Sequence, residues 1–128
     1  MPTAVVYFAD DDRGMRYVYE DVTCPVKDGS KWKVQTFAYA ELLLETVERQ
    51  KPDVVMTDVD FGPMNMDGLT LTALLKEKYP KIKIIVTSGT PQIRPKAIQA
   101  GADEFIAKPW DLEALEALIQ KLLQSRET

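Results

Sequence analysis

The chain has 128 residues and a formal net charge of −4, and 45% of its residues are hydrophobic. This length and composition are typical of one globular domain with its own core, and they argue against a disordered chain. The chain contains no histidine, which excludes Ser-His-Asp and Cys-His catalysis and nearly all zinc sites. It also lacks a basic cluster that would follow a phosphate backbone, so direct nucleic-acid binding is not expected.

Cysteine usage and the absence of targeting segments indicate the compartment. The single cysteine, Cys24, cannot form an internal disulfide, and no histidine exists to activate it as a nucleophile. No apolar run is long enough for a membrane span, and no signal peptide precedes the first strand-like segment. We therefore predict a cytoplasmic protein with no membrane span. Because there are no repeats or linkers, we predict one domain over residues 1–128.

The first half of the chain alternates strand-like and helix-like segments. Strands are predicted at residues 4–9, 32–37 and 53–57. Apolar residues at helical spacing predict two helices between them, through Met15, Val18, Tyr19 and Val22 and through Ala40, Leu43, Leu44 and Val47. The proline, glycine and polar residues of segment 23–31 predict a loop, and Pro52 stops the second helix.

The second half continues the same alternation. A third helix is predicted at residues 68–79, with Leu71, Leu74, Leu75 and Tyr79 on one side. Strands at 81–88 and 104–107 flank a fourth helix that closes at Gly101 as C-cap. Asp111 suits the N-cap of the last helix, whose buried face is Leu112, Leu115, Leu118, Ile119 and Leu122. Five strands alternating with five helices predict an α/β fold, a doubly wound, mainly parallel sheet covered on both sides.

Acidic and polar side chains lie where the predicted strands end. They are Asp10, Asp11 and Asp12 after the first strand, Asp58 and Asp60 after the third, Thr87 and Ser88 at the end of the fourth, and Lys108 after the fifth. Ligands of open parallel sheets bind outside the carboxyl ends of the strands. We therefore expect carboxylates, a hydroxyl and an ammonium to converge on one shallow pocket.

The chemistry of this set is that of a phosphoryl acceptor. Asp10, Asp11 and Asp58 bring three negative charges that repel one another without a cation. Lys108 offsets one charge, and a divalent metal would offset the other two. Hard oxygen ligands with room for water favour Mg²⁺. The cations would neutralise phosphoryl oxygens, while an aspartate serves as nucleophile and gives an acyl phosphate.

Five motifs in this order and over the whole chain resemble a response-regulator receiver domain of two-component signalling, similar to a chemotaxis regulator. They are "FADDDRGMR", "PDVVMTD" with the later "MDG", "IIVTSG" and "FIAKPW". Each motif alone is weak, whereas the acidic pair, the aspartate, the hydroxyl and Lys-Pro at successive strand ends are specific. The resemblance implies a flavodoxin-like receiver fold with five parallel strands in the order 2-1-3-4-5 and five helices.

The resemblance also implies roles for residues at the predicted pocket. Asp58 matches the phosphoacceptor, and Lys108 matches the lysine that pairs first with it and then with the phosphoryl oxygens. Asp11 matches the direct metal ligand, and Asp10 the acid that reaches the metal through water. The backbone carbonyl of Asp60 matches the third protein ligand of the metal.

Three further positions match the family pattern. Ser88 is expected as the switch hydroxyl, because a small residue follows it, although the adjacent Thr87 is the alternative. Phe105 matches the aromatic switch residue, but it is also open to interpretation as plain core. Pro109 matches a proline that follows the lysine through a cis bond.

Two other features remain open at this stage. Asp12 is expected to cap the first helix, and the side chain of Asp60 is either functional or a solvated loop residue. Segment 59–66, "VDFGPMNM", is about two residues longer than the usual turn of the family. This difference is expected to alter the cover over the pocket.

The function implied by the resemblance is phosphoacceptor signalling. A sensor histidine kinase or a histidine phosphotransfer protein would supply the phosphoryl group, since the chain has no histidine. The chain would not be an enzyme beyond its self-phosphorylation and autodephosphorylation. Phosphorylation would remodel the surface of helix four, strand five and helix five for a protein partner. The same resemblance allows for a dimer that forms on phosphorylation. The chain ends soon after helix five, which fits either a stand-alone protein or a receiver cut from a larger one.

Two other functions compete with this interpretation. The Asp58-x-Asp60 pair resembles the nucleophile motif of haloacid-dehalogenase-type phosphatases, in which Asp60 would be the acid-base residue. That family places its motif on the first strand, whereas here it follows the third. A receiver-like module that binds partners without phosphorylation is the other alternative, but it would usually lack an acid, the hydroxyl or the lysine.

Overall fold

The computed structural model describes residues 3–21 and 32–125, so the predicted loop 23–31, with Cys24, and Val22 lie outside the described residues. Strands and helices alternate along these residues. The elements are β1 (Val5–Ala9), α1 (Arg13–Glu20), β2 (Lys33–Phe37), α2 (Ala40–Arg49), β3 (Val54–Asp58), α3 (Gly68–Lys78), β4 (Lys83–Ser88), a 3₁₀ turn (Pro91–Ile93), α4 (Arg94–Ala100), β5 (Glu104–Ala107) and α5 (Leu112–Ser125).

The five strands form one sheet in the order β2-β1-β3-β4-β5, and every neighbouring pair is parallel. This confirms the predicted α/β class and the strand order that the resemblance implied. Because all strands run the same way, their carboxyl ends meet at one edge of the sheet. Strands β1 and β3 are neighbours in the sheet, which places Asp10 and Asp58 side by side along that edge.

Two hydrophobic clusters cover the two faces of the sheet. The first includes buried residues of α2, α3 and α4, and the second includes buried residues of α1 and α5. Strand residues alternate between the clusters: Val55 and Ile84 join the first, and Met56 and Ile85 the second. The helices therefore lie on both sides of the sheet, as the doubly wound prediction requires.

The residues predicted to cap helix ends have the expected conformation and hydrogen bond. Gly101 follows α4 with φ of +112°, a left-handed conformation that glycine adopts without strain. The carboxylate of Asp111 accepts a hydrogen bond of 2.7 Å from the N–H of Ala114 at the start of α5. Helix α3 ends at Lys78, one residue before the predicted end, since Pro80 disfavours a helical conformation at Tyr79.

Among the described residues, two apolar members of the predicted helical stripes are exposed. Val18 of α1 is 39% exposed, although its neighbour Tyr19 is buried. Leu71 and Leu75 are fully buried, but Leu74 is 38% exposed at the edge of the α3 stripe. It lines a groove between α2 and α3 together with Leu44 and Glu48. Within residues 3–21 and 32–125, no helix is both long and apolar enough to cross a bilayer.

Candidate functional site

Three carboxylates converge at the carboxyl edge of the sheet, as the sequence predicts. Asp10 directly follows β1, Asp11 comes next, and Asp58 is the last residue of β3. One carboxylate oxygen from each lies within 4.8 Å of the others. Asp10 is fully buried, Asp58 is partly buried and Asp11 is exposed. The group therefore combines charge at depth with an opening toward solvent.

The ammonium of Lys108 lies between two of these carboxylates. Its Nζ is 2.9 Å from Oδ2 of Asp58 and 3.4 Å from Oδ2 of Asp10. The backbone N–H of Lys108 donates to the carbonyl of Ser88, which ties the lysine to the end of β4. Burial lowers the pKa of Lys108, but the hydrogen bond with Asp58 and the charges of Asp10 and Asp58 outweigh it and raise the pKa overall. Lys108 is therefore a firmly charged cation.

The carboxylate of Asp10 has hydrogen-bond donors on both oxygens. Oδ1 accepts the N–H of Asp12 at 3.0 Å, and Oδ2 accepts the hydroxyl of Tyr19 at 3.0 Å. Burial, followed by the negative charge of Asp10, raises the pKa of Tyr19, so the hydroxyl keeps its proton. The sequence placed Tyr19 only in the apolar stripe of the first helix. Its position in that stripe predicts burial, but the hydrogen-bond partner of its hydroxyl leaves no local signal.

The electrostatics of Asp11 show that the carboxylates lack sufficient positive charge. Burial raises the pKa of Asp11, and the negative charges of Asp10 and Asp58 raise it further. Within the described residues, Lys108 is the only cation that forms an ion pair with these three carboxylates, so two of the three negative charges have no ion-pair partner there. Oxygen ligands of this kind with an open side fit a hard divalent cation such as Mg²⁺.

Asp12 belongs to helix α1 rather than to the carboxylate group. Its Oδ1 accepts the N–H of Gly14 at 2.8 Å and that of Met15 at 3.4 Å. These are two of the N–H groups that the first turn of a helix leaves without partners. The capping role predicted for Asp12 is confirmed.

The two adjacent hydroxyls at the end of β4 have different surroundings. Thr87 is fully buried, and its hydroxyl donates to the carbonyl of Ile106 at 2.8 Å. Ser88 retains 8% exposure, and its Oγ accepts the N–H of Thr90 at 3.0 Å. The Thr87 hydroxyl is therefore committed to the interior of the sheet, whereas that of Ser88 lies at its rim.

The remaining predicted positions lie on or beside β5. Phe105 is partly buried and packs against the α2–α3–α4 cluster. The peptide bond between Lys108 and Pro109 is cis, as the resemblance implied. Trp110 packs against the cluster of α1 and α5, and its ring stacks on Tyr19 with 5.8 Å between centroids.

The lengthened segment 59–66 is held by several contacts. Phe61 is 2% exposed and belongs to the α2–α3–α4 cluster. Oδ1 of Asp60 accepts the N–H of Gly62, whose φ is +90°. The amide of Asn65 donates to the carbonyl of Phe61, and the N–H of Met66 donates to Glu41 at 3.2 Å. The segment is therefore a turn anchored in the core beside Asp58.

Gly68 brings α3 against the backbone of Asp58. A Cβ at this position would overlap the carbonyl oxygen of Asp58. The N–H of Gly68 donates to the carbonyl of Val59 at 2.8 Å, and Asp67 caps the helix by accepting from Thr70. From the sequence, the "Asp-Gly" pair is recognisable only as part of a motif. The close approach of Gly68 to the backbone of β3 leaves no local signal.

Similar solved structures share this fold. A response regulator receiver domain protein (CheY-like) from Methanospirillum hungatei JF-1 superposes with a TM-score of 0.86, at 21% identity, over 98% of each chain. The receiver domain of NtrX from Brucella abortus gives a TM-score of 0.80, at 24% identity, over 93% of this chain and 98% of that one.

Curated relatives are similar in sequence. The chain is 32% identical over 123 residues to the chemotaxis protein CheY of Bacillus subtilis, which covers 92% of this chain and 96% of CheY. It is 32% identical over 127 residues to the DNA-binding transcriptional regulator NtrC of Azospirillum brasilense, which covers 98% of this chain and 25% of that protein. The chain thus spans about a quarter of the NtrC relatives that it matches.

The family model of the response regulator receiver domain matches residues 6–120. This range includes all of β1 except Val5, continues through most of α5, and contains all of the carboxylates and the lysine described above. The chain therefore belongs to the response regulator receiver domain family, the signalling domains of two-component systems.

Proposed function

We propose that the chain accepts a phosphoryl group on Asp58 in the presence of Mg²⁺ and thereby switches a protein-binding surface. One observation carries this proposal: the carboxylates of Asp10, Asp11 and Asp58 lie together with the Lys108 ammonium 2.9 Å from Asp58. This arrangement leaves a partly exposed, electron-rich carboxylate beside a fixed cation. Family membership supports the same chemistry.

The proposed transfer is a displacement at phosphorus. An oxygen of the Asp58 carboxylate attacks the donor phosphorus, and the bond from phosphorus to the leaving group breaks with its electron pair. Lys108 neutralises charge on the transferred group and stays close to Asp58 afterwards. Attack by water later releases phosphate and restores the carboxylate.

The acidic group would hold the metal ion. Asp11 is the proposed direct ligand, Asp10 the ligand acting through water, and Asp58 and the backbone carbonyl of Asp60 the remaining protein ligands. The bound Mg²⁺ would supply positive charge to the phosphoryl oxygens. The hydrogen bond from Gly62 to the Asp60 carboxylate gives that side chain a role in the turn, which supports assigning the backbone rather than the side chain to the metal.

Ser88 and Phe105 are the proposed switch residues. The rim position of the Ser88 hydroxyl supports its selection over Thr87, whose hydroxyl is bonded within the sheet. Phe105 lies in β5 and packs against the cluster that includes α4. A shift of Ser88 toward the phosphoryl group would favour an inward Phe105 and alter the face of α4, β5 and α5.

The proposed partners follow from the same chemistry. A sensor histidine kinase or a histidine phosphotransfer protein would donate the phosphoryl group, and a protein would bind the altered face, including a second copy of this chain. NtrC relatives are DNA-binding regulators, but direct DNA binding is not proposed for these residues, in line with their net acidic charge. The cytoplasmic location and the single domain over 1–128 stay predictions.

The deciding experiment is intact mass spectrometry after incubation with Mg²⁺ and a small acyl-phosphate or phosphoramidate donor. We expect the mass of one phosphoryl group to be gained with metal and not with a chelator. Asp58→Asn should gain none, because an amide oxygen is a poor nucleophile. A full gain in Asp58→Asn, or no gain by the wild type from either a small donor or a histidine kinase, would contradict the proposal.

Asp60→Asn is the control that separates the phosphatase alternative. An amide oxygen can still accept the N–H of Gly62, and the backbone carbonyl is unchanged. The receiver mechanism therefore retains phosphorylation in this variant. A phosphatase using Asp60 as its acid-base group would lose turnover of phosphate esters. Catalytic consumption of such esters by the wild type would favour that alternative instead.

A further inference from the structure

One oxygen of Asp10 receives two donors. Oδ2 accepts the Tyr19 hydroxyl at 3.0 Å and lies 3.4 Å from the Nζ of Lys108. The same Nζ is 2.9 Å from Oδ2 of Asp58. A single ammonium is thus shared by two carboxylates, and the tyrosine hydroxyl contacts one of them.

The ring of Tyr19 is fixed in this position. It is 1% exposed and stacks on Phe8 with 4.5 Å between centroids and an interplanar angle of 6°. Trp110 stacks at 5.8 Å. Because the ring is stacked and buried, its hydroxyl stays directed at Asp10. The proposed phosphoryl transfer does not otherwise use this residue.

The two carboxylates differ in their access to water. The side chain of Asp10 is 1% exposed, whereas that of Asp58 is 17% exposed. Asp58 can replace a lost donor with water, but a fully buried Asp10 cannot. Attraction between opposite charges is also stronger where water is excluded. If Asp10 lost the Tyr19 hydroxyl, the Lys108 ammonium would therefore bind Asp10 more strongly than Asp58.

We propose that Tyr19 is a positioning residue: its hydroxyl satisfies Asp10 and so leaves the Lys108 ammonium with Asp58. This inference rests on the proposed function, in which Asp58 is the acceptor and Lys108 must stay beside it. Removal of the hydroxyl leaves Lys108 as the only donor to Oδ2 of Asp10 among the hydrogen bonds of the described residues. The lysine then moves toward Asp10 and away from the acceptor.

The first test compares metal-free crystal structures of the wild type and Tyr19→Phe. Phenylalanine keeps the ring and its stacking, so only the hydroxyl is lost. We expect Nζ of Lys108 to approach Asp10 and to separate from Asp58 beyond hydrogen-bond distance. An unchanged lysine, with the substituted ring still stacked on Phe8, would overturn the inference.

Tyr7→Phe is the matched control. Tyr7 is also 1% exposed, and its hydroxyl also makes one hydrogen bond, to the carbonyl of Gln50 at 2.7 Å. It belongs to the cluster on the opposite face of the sheet. This variant loses a buried hydroxyl without touching Asp10, so Lys108 should stay in place. A lysine displaced equally in both variants would show a general loss of packing and overturn the inference.

The second test is a double-mutant cycle on the initial rate of phosphorylation from a small donor. Tyr19→Phe should lower this rate roughly tenfold, the scale of one hydrogen bond to a charged group. In a Lys108→Met background the same substitution should have no further effect, because it acts through the lysine. An equal loss in both backgrounds would contradict the inference.

These tests separate the inference from the function on which it rests. A wild type that never gains a phosphoryl group refutes the proposed function, while the metal-free structures still decide the position of Lys108. If Tyr19→Phe does not fold, hydrogen exchange of the Tyr19 hydroxyl is measured in the wild type instead. The hydroxyl proton of Tyr19 should exchange slowly enough to give a resolved NMR signal, and free exchange with water would overturn the inference.

Discussion

At the scale of single residues, Lys108 is the cation that reduces the repulsion among the three carboxylates when no metal is bound. It lies within hydrogen-bond distance of Asp58 and close to the fully buried Asp10. Removing one partner of such a buried pair leaves an uncompensated buried charge. The resulting loss of folding free energy exceeds the net stabilisation that the intact pair provides. The lysine therefore contributes to stability as well as to the proposed chemistry.

We predict that Lys108→Met lowers the metal-free free energy of unfolding by roughly 2 kcal/mol or more, because Asp10 then keeps a buried charge without its ammonium. Mg²⁺ stabilises the folded state because it binds only the folded site. It should restore more stability to this variant than to the wild type, since the variant has one more uncompensated negative charge at that site. Urea unfolding with a chelator and with Mg²⁺ measures both effects.

Lys121→Met is the control for this prediction. Lys121 pairs with Glu104 at 2.8 Å, but its side chain is 68% exposed. Exposed ion pairs contribute little, so its loss should change stability by less than about 1 kcal/mol, with or without Mg²⁺. Equal effects of the two lysine substitutions would contradict the role assigned to Lys108.

At the scale of elements, α3 and β3 fit together at one glycine. The first residue of α3, Gly68, lies against the carbonyl of Asp58, the last residue of β3. Close packing of this kind leaves no room for an added methyl group. The position of the acceptor carboxylate therefore depends on how closely α3 approaches.

We predict that Gly68→Ala destabilises the protein by roughly 1–3 kcal/mol and slows phosphorylation of Asp58, because either the helix or the strand end must shift. Gly89→Ala is the comparison for stability. A Cβ at Gly89 meets nothing within 4 Å, and its φ is not in the left-handed region. That substitution should leave thermal unfolding unchanged or slightly raised. Equal midpoints for the two variants would contradict the close-packing argument.

At the scale of the whole molecule, the acidic edge links stability to pH. Folding raises the pKa of Asp11, first through burial and then through Asp10 and Asp58. The folded state therefore binds this proton more tightly than the unfolded chain. The resulting stabilisation is fully present below the ordinary aspartate pKa of about 3.9 and is lost as pH rises through the higher folded value.

We predict that Asp11→Asn is more stable than the wild type at neutral pH in the presence of a chelator, since one repelling charge is removed. The difference should shrink as pH falls through the raised folded pKa of Asp11 toward the ordinary aspartate pKa of about 3.9, because the wild-type carboxyl then gains its proton. Added Mg²⁺ should reverse the order, because only the wild type keeps the proposed direct ligand. Urea midpoints across pH measure these differences.

Asp111→Asn is the control for the pH prediction. It removes an acidic charge at the start of α5, and asparagine caps helices as well as aspartate does. Its difference from the wild type should depend little on pH or Mg²⁺. A pH dependence as large as that of Asp11→Asn would show that total charge, rather than this cluster, causes the effect.

The sequence by itself determined the elements and the composition of the site. Apolar spacing predicted five strands and five helices, and short-range capping preferences identified Asp12, Gly101 and Asp111. Parallel strands place their carboxyl ends at one edge, so the acidic residues after the first and third strands had to meet there. These features depend on interactions within a few residues or on the direction of whole strands, and both can be inferred from a linear pattern.

Only the tertiary structure decided how the side chains at that edge pair. The Lys108 ammonium contacts residues 50 and 98 positions earlier, and their relative distances depend on strand register and rotamers. The Tyr19 hydroxyl, the close approach of Gly68 and the burial of Phe61 are likewise invisible to local patterns. A tyrosine or phenylalanine at helical or strand spacing predicts burial, but its polar or packing partner is set by elements that arrive from elsewhere in the chain.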